Sequence, residues 1–492
     1  MACSCSVRDS RCAPQGVHHP PCPCGARSAR GRSQAPVRTR RSARSSVGIC
    51  ACVEHLCLVI GQLGSRRGIA RRPPTRERFP RARAAKPSPV TPRSVVTVRI
   101  GVEEEFHIVE VETGLLVSRA DTVLEKLPSP TFTTELQQAT VETNSGVHTS
   151  LGDLYTDIVG TRRRLDAAAT AHGLAAVAAG TVPLASTADI RPTAGYRYRR
   201  MVDQYRMVAD EQLICGTHVH VDAPDRDLAV HIMCEVSPWL HVLLALSASS
   251  PFWLGADTGY ASWRTMLWQR WPTAGPVACF ADAAAYDTAV QGFIDSGVIS
   301  DPGMIYYDIR PSAHQQTLEL RICDACPRAE TVVLVAGLFR ALVTEARERL
   351  ESTRLPTCGG RHEWLRAASW RAARSGLEGT LIDPYTRHEA PASQVVRALL
   401  RRVRPALEAA GDWQTVRDLT GRALKEGSAA HRLRRTATAE DLLACTDLAI
   451  AETRGDTDRR RRPATGLDGH VTPLRRPAPD TPGTRPARIA GP

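Results

Sequence analysis

The chain has 492 residues, with 64 Lys and Arg against 51 Asp and Glu, a formal charge of +13 and a pI near 9.3. That excess sits at the ends: residues 1–94 carry +16 and residues 454–492 carry +5, which leaves residues 95–453 at −8. A mildly acidic folded region has no basic patch with which to coat a polyanion, so a nucleic-acid binder acting through anything but its tails is disfavoured.

Residues 1–94 are rich in Arg, Ser, Pro, Gly and Cys, hold a single aromatic residue (Phe79) and show no sustained period of 2 or 3.6. Such a stretch buries too little apolar surface to offset its ordering entropy, so it is expected to be disordered. Three explanations compete: a transit-like leader, a nucleic-acid arm, or an upstream stretch translated from a start placed too early. The last is favoured because order begins abruptly at Ser94–Ile100, a β-branched run that reads as a strand. Eight of the 15 cysteines precede residue 60, no signal-peptide pattern is present, and the apolar stretch Ile49–Leu63 is short and carries Glu54 and His55. A reducing, cytoplasmic setting with most thiols free and no membrane association is expected. The tail from Arg454, with seven prolines, also reads as disordered.

Between the tails, Ser150 with Asp153 caps a helix predicted over 151–172, whose stripe is Leu151, Leu154, Tyr155, Ile158 and Leu165. Leu174–Val182 and Ile214–Val221 read as strands, and Leu228–Ser249 as one long apolar helix. Met304–Arg310 and Gln316–Cys323 read as a strand pair, Thr331–Leu350 as a helix, and Thr438 as the start of a last helix through Leu448. Without a strict βαβ rhythm, an α+β fold with a mainly antiparallel sheet is expected.

Strand residues two apart share a face, so Glu103 and Glu105 in GVEEEF (101–106) project together while Glu104 points away. Two carboxylates about 5 Å apart repel by about 3 kcal/mol at an effective dielectric near 20, so a cation belongs beside them. The alternation recurs: His218 and His220 in GTHVHV, Asp308 and Arg310 in YDIRPS, Glu319 and Arg321 in TLELRI each share a face, with aliphatics behind the first and last pairs. Glu135 and Glu142 are seven apart, a spacing that returns to nearly the same azimuth on a continuous helix.

Carboxylates with one or two imidazoles favour Mg²⁺ or Mn²⁺ over zinc. Such ions bridge phosphates and Arg forks match phosphate oxygens, so phosphoryl transfer is indicated, with a metal-dependent hydrolase as the rival enzyme class. No Gly-rich phosphate loop of the Walker type is present, so a nucleotide would lie on the sheet face. Weaker signals are Cys323-Asp-Ala-Cys326, read as buried free thiols, and Gly376–Gly379, too short to be a phosphate loop. The aromatic stretch from Ser249 to Trp271, containing Arg264, reads equally as a substrate-facing loop or a satellite core.

GVEEEF (101–106), ELQQATVETNSGV (135–147), HVHV (218–221), YDIRPSAH (307–314), LELR (318–321) and GLEGTLIDP (376–384) occur in order between about residues 97 and 450. With them the chain resembles the carboxylate-amine ligase family, also called glutamate-cysteine ligase type 2. The resemblance implies a glutamine-synthetase-like fold: a curved, mainly antiparallel sheet with helices on its outer face, holding ATP and more than one Mg²⁺. It also implies a cytoplasmic enzyme of glutathione-type thiol biosynthesis. In such an enzyme a glutamate γ-carboxylate is phosphorylated and the acyl phosphate is attacked by an amine, typically that of cysteine. Carried over by motif, Glu103, Glu105, Glu135, Glu142 and Glu319 would be metal ligands, and His218 or His220 a metal or phosphate neighbour. Arg321 would face the transferred phosphoryl group, Arg310 the phosphates or substrate, and Arg264 the glutamate carboxylates. The family pattern often has Gly-Thr-His-Pro where this chain has Gly180-Thr-Val-Pro183.

Overall fold

The computed structural model describes residues 98–353, 362–437 and 442–456. The extension 1–94, the tail beyond residue 456 and the expected helix start at Thr438 lie outside the described residues. Up to residue 320 the strands are β1 (Ile100–Glu110), β2 (Phe132–Thr134), β3 (Thr140–Asn144), β4 (Leu174–Val177), β5 (Thr217–Asp222), β6 (Phe252–Trp253), β7 (Ala256–Asp257), β8 (Ile309–Pro311) and β9 (Thr317–Leu320). Seven of them form one antiparallel sheet in the order β2-β3-β1-β5-β9-β8, with β4 joined to the second half of β1. β6 and β7 make a separate hairpin. The expected α+β class with a mainly antiparallel sheet is what the chain builds. Of the strand expected over 94–100, residues 94–97 lie outside the described residues; β1 runs on from Ile100 to Glu110, so the three consecutive glutamates lie well inside it.

The two-residue period sorts the sheet into two faces. Val102 of β1 stands beside Val219, Leu320 and Ile309, and Ile100 beside Val221 and Leu318; all are buried. They pack in one core with Leu151, Leu154 and Ile158 of the helix Leu151–Thr170 and with Val332, Val335 and Phe339 of the helix Ala329–Thr353. Each such aliphatic contributes about 1.5–3 kcal/mol of burial. Ser150 starts the first of these helices as its sequence predicts, its hydroxyl accepting from the Gly152 and Asp153 amides at 3.1 and 3.3 Å. Glu104, the acid of the triplet turned toward this apolar side, is answered by Arg162 of the same helix, with Nη2 donating to Oε1 at 2.5 Å and Nε to Oε2 at 3.2 Å.

The apolar run predicted as one helix from Leu228 is broken. Arg226–Val236 and Leu240–Ser247 are helices separated by a 3₁₀ turn at Ser237–Trp239, where Pro238 cannot donate to the helical ladder. Residues 226–247 have the length and hydropathy of a bilayer-crossing helix, yet 78% of that window is buried inside the protein. Cys323 and Cys326 are buried and free, as expected, as is Cys215, whereas Cys234 and Cys279 form a disulfide.

Candidate active site

The face opposite the helices carries the chemistry. Across the strands, Glu105 stands opposite Glu142, Glu103 between Asn144 and His218, and Glu319 between His220 and Arg310. A cavity of about 250 Å³ opens over this face. Of the ten residues predicted for the site, Glu103, Glu105, Glu135, Glu142, His218, Arg264, Arg310 and Arg321 line it. His220 and Glu319 sit just beyond, in reach of Glu103. Glu135 and Glu142 do meet, but not through a helix. Glu142 lies on β3 and Glu135 in the turn that follows β2, so the antiparallel pairing of these strands brings them together. Asp308, which the alternation puts beside Arg310, lines a smaller pocket with Ser237 and His241 instead.

The three arginines differ in how much of their hydrogen-bonding capacity is used. Arg310 grips Glu319 with Nε at 2.8 Å and Nη2 at 3.1 Å, and gives Nη1 to the carbonyls of Gly303 and Ile305. It is a clamp on Glu319 more than a free ligand group. Arg321 shares Glu319 through Nη1, but its buried Nε has no partner, and its guanidinium lies over the Trp268 and Tyr306 rings. Arg264 is held loosely, by long contacts to the carbonyls of Ile322 (3.4 Å) and Arg321 (3.3 Å), and its Nε is also unpartnered. Buried guanidinium donors left unpaired are costly, so these two have hydrogen-bonding capacity left for an anion.

Electrostatics divide the acids into two sets. Burial works to raise Glu319, but Arg321, Arg310 and His220 hold it below the ordinary carboxylate range. Burial likewise opposes Glu103, yet His218 and His220 hold it low. Glu105 is raised by burial in spite of Arg264; Glu135 is raised by burial and by Glu105; Glu142 is raised well above its ordinary value by burial and by Glu135 and Glu103. Burial, with Arg321 nearby, brings His218 down to about 4. Its Nε2 is buried without a hydrogen-bond partner. Ligand atoms lie within 4.8 Å of one another in three groups: Glu103, His220 and Glu319; Glu103, Glu142 and His218; Glu105, Glu135 and Glu142. Crowded carboxylates pushed toward protonation, together with an orphaned neutral imidazole nitrogen, fit hard divalent cations of the Mg²⁺ or Mn²⁺ kind.

The cavity has a second wall that the sequence did not disclose: Arg197, Tyr198 and Met201 of the helix Tyr196–Tyr205, with Gln137, Gln212 and Tyr306. The RYRRM pattern there, with apolar residues three apart among arginines, was the available signal. In the aromatic stretch, Trp268 and Trp271 are buried in the core and also line the cavity. The GLEG segment stays outside: Glu378 binds the amide and hydroxyl of Ser428 at 2.7 and 2.9 Å.

Residues 99–452 match the family described as glutamate-cysteine ligase family 2 (GCS2). The chain belongs to this family. A Frankia casuarinae relative provisionally named glutamate–cysteine ligase 2-2 is 52% identical over 363 residues, which are 73% of this chain and 42% of that protein. A Mycolicibacterium smegmatis relative with the same provisional name is 48% identical over 365 residues, 74% of this chain and 90% of that one. The chain spans less than half the length of the Frankia and Rhodococcus relatives it matches at 48–52% identity. Among solved structures, the Francisella tularensis glutamate–cysteine ligase in complex with AMP superposes with a TM-score of 0.56 at 10% identity, covering 73% of this chain and 89% of that one. The Pasteurella multocida bifunctional glutathione synthetase gives 0.55 at 15% identity, covering 74% and 53%. At these identities the likeness is one of fold, and it bears out the glutamine-synthetase-like ligase fold expected from the GCS2 resemblance.

Proposed function

We propose that this GCS2 chain is a Mg²⁺-dependent ATP ligase that joins the γ-carboxylate of glutamate to an amine, with cysteine as the favoured amine and ADP and phosphate as the other products. The observation that carries the reading is the gradient across one sheet face, from crowded, cation-demanding acids at β1 and β3 to unsatisfied arginine donors beside β9. Glu103, Glu105, Glu135, Glu142, Glu319, His218 and His220 would hold the divalent ions. Bound there, such ions neutralise phosphate charge and align the phosphoryl group. Arg321 then stabilises the transferred phosphoryl oxygens. Arg264, above Glu105, takes carboxylate oxygens of glutamate. A γ-carboxylate oxygen attacks the terminal phosphorus and ADP leaves; the amine nitrogen attacks the resulting acyl carbon, phosphate leaves and the amide forms with loss of a proton. The aromatic wall of Trp268, Trp271 and Tyr306 limits water access to the acyl phosphate.

The test is ADP release from ATP across a panel of carboxylates and amines. ADP is expected only when Mg²⁺, glutamate and an amine are present together, with cysteine the best amine. Equal phosphate release from ATP and water alone would instead favour the hydrolase.

Gly216 gives a sharper check. A Cβ there would overlap Arg264 Nη2 and lie 3.2 Å from His218 Nε2, so Gly216→Ala must displace the guanidinium. The expected loss in kcat/KM is on the order of 10²-fold, the usual cost of misplacing a positioning group by about 1 Å. Kinetics indistinguishable from wild type would show that the seat of Arg264 is irrelevant to turnover.

A further inference from the structure

Arg264 has few contacts of its own that fix it. Its guanidinium makes two contacts of 3.3–3.4 Å to carbonyls, leaves Nε without a partner, and lies 5.6 Å over the Trp268 ring. Its backbone is held far better. The Arg264 amide donates to Ser250 Oγ at 3.0 Å. Ser262, which opens the helix Trp263–Trp268, accepts from the Thr265 amide at 3.3 Å and shares a 2.8 Å hydroxyl contact with Thr265 Oγ1.

Both serines hang from one carboxylate. Asp324 Oδ2 accepts from Ser250 Oγ at 2.7 Å and from the Ser249 amide at 2.9 Å, and Oδ1 accepts from Ser262 Oγ at 2.7 Å. Asp324 is fully buried and lies between the two cysteines of the CxxC motif. Its carboxyl is raised by burial, against which Arg264 and these donors act. Gly180 lies against it: a Cβ at Gly180 would come within 2.7 Å of Asp324 Cγ and Oδ2. The significance of the CxxC segment is therefore the acid between its thiols.

We propose that Asp324 is the positioning residue for Arg264: through Ser250 and Ser262 it fixes the turn that aims the guanidinium into the cavity, and so sets how tightly the carboxylate substrate is held. This rests on the assignment of Arg264 to that substrate made above. A charged acceptor fixes hydroxyl donors more firmly than a neutral one, and three donors on one buried carboxylate leave the turn a single orientation. Asp324 touches neither substrate nor nucleotide in this scheme, so its effect must appear in one binding constant only.

The experiment is steady-state kinetics of full-length Asp324→Asn, with glutamate and ATP varied separately. The KM for glutamate is expected to rise by about tenfold, as for loss of one charge-assisted hydrogen bond, with kcat and the KM for ATP within about twofold of wild type. In an Arg264→Lys background the same substitution should add less than about twofold, because its route of action is already damaged. Equal rises in both KM values, full additivity with Arg264→Lys, or an unchanged KM for glutamate would each overturn the proposal. If Asp324→Asn does not fold, Ser250→Ala and Ser262→Ala cut the two links singly, and each is held to the same split. Wild type in the same assay separates the two ideas. No glutamate-dependent ADP release from wild type overturns the functional reading, whereas wild-type turnover with an unaltered variant KM overturns the role of Asp324.

Discussion

Glu319→Gln is expected to lower kcat/KM by on the order of 10³-fold and to destabilise the fold by about 3–5 kcal/mol. The two effects have one cause. Glu319 is 2% exposed and neutralises two guanidiniums, Arg310 and Arg321, while lying within ligand distance of Glu103 and His220. Glutamine keeps the shape but removes the charge, and its amide sets a donor against a guanidinium. Arg310 and Arg321 are then buried without compensation, and the cation group that includes Glu103 loses an anionic ligand. Glu319→Asp separates the contributions: it restores the charge and part of the stability, but its shorter arm cannot reach both arginines, so activity stays low. Denaturant unfolding and turnover on the same samples check both parts. Unfolding identical to wild type with turnover within about threefold would remove Glu319 from the centre of the site.

Sequence alternation was sufficient for residues whose strands are regular. Glu103, Glu105, His218, His220 and Glu319 share a face because a period of two leaves no other choice, and Glu104 turns away to Arg162 for the same reason. Where the backbone departs from one repeat, the reading lost accuracy. Glu135 and Glu142 are neighbours through strand pairing, which sequence spacing does not encode; Asp308 precedes β8 and escapes its alternation; Pro238 splits an apolar run that hydropathy alone reads as continuous. Arginine identity was readable but arginine occupancy was not. Nothing in the LELR and YDIRPS motifs distinguishes Arg310, used up on Glu319 and two carbonyls, from Arg321, whose buried Nε has no partner. The wall of Arg197, Tyr198 and Met201 comes from a helix whose approach to the sheet is a tertiary fact.

Divalent-cation binding to the nucleotide-free protein should tighten as pH rises from the ordinary carboxylate range through the raised values of its crowded acids, by up to about tenfold per pH unit for each proton displaced. Glu142 belongs to two of the three ligand groups and, with Glu105 and Glu135, is raised above the ordinary carboxylate range by burial and mutual repulsion. A protonated carboxyl must release its proton before it ligates, so the ion competes with protons throughout the interval below the raised value. Stability follows the same sign. A group whose pKa is higher folded than unfolded contributes stability at low pH that is lost as pH rises through the folded value, so the metal-free protein weakens upward through this window and added Mg²⁺ raises its melting temperature more at the higher pH. Glu103 and Glu319 run the opposite way, since their neighbours hold them low; their contribution is lost only on acidification below the usual carboxylate range, outside this interval. Mn²⁺ titrations by calorimetry in two buffers of different ionisation enthalpy count the protons released. Glu142→Gln, which removes a crowding charge and a shared ligand together, should weaken binding and flatten its pH dependence. An affinity for Mn²⁺ that is independent of pH in wild type would mean that these acids are already ionised and that the crowding at β1 and β3 makes no demand for a cation.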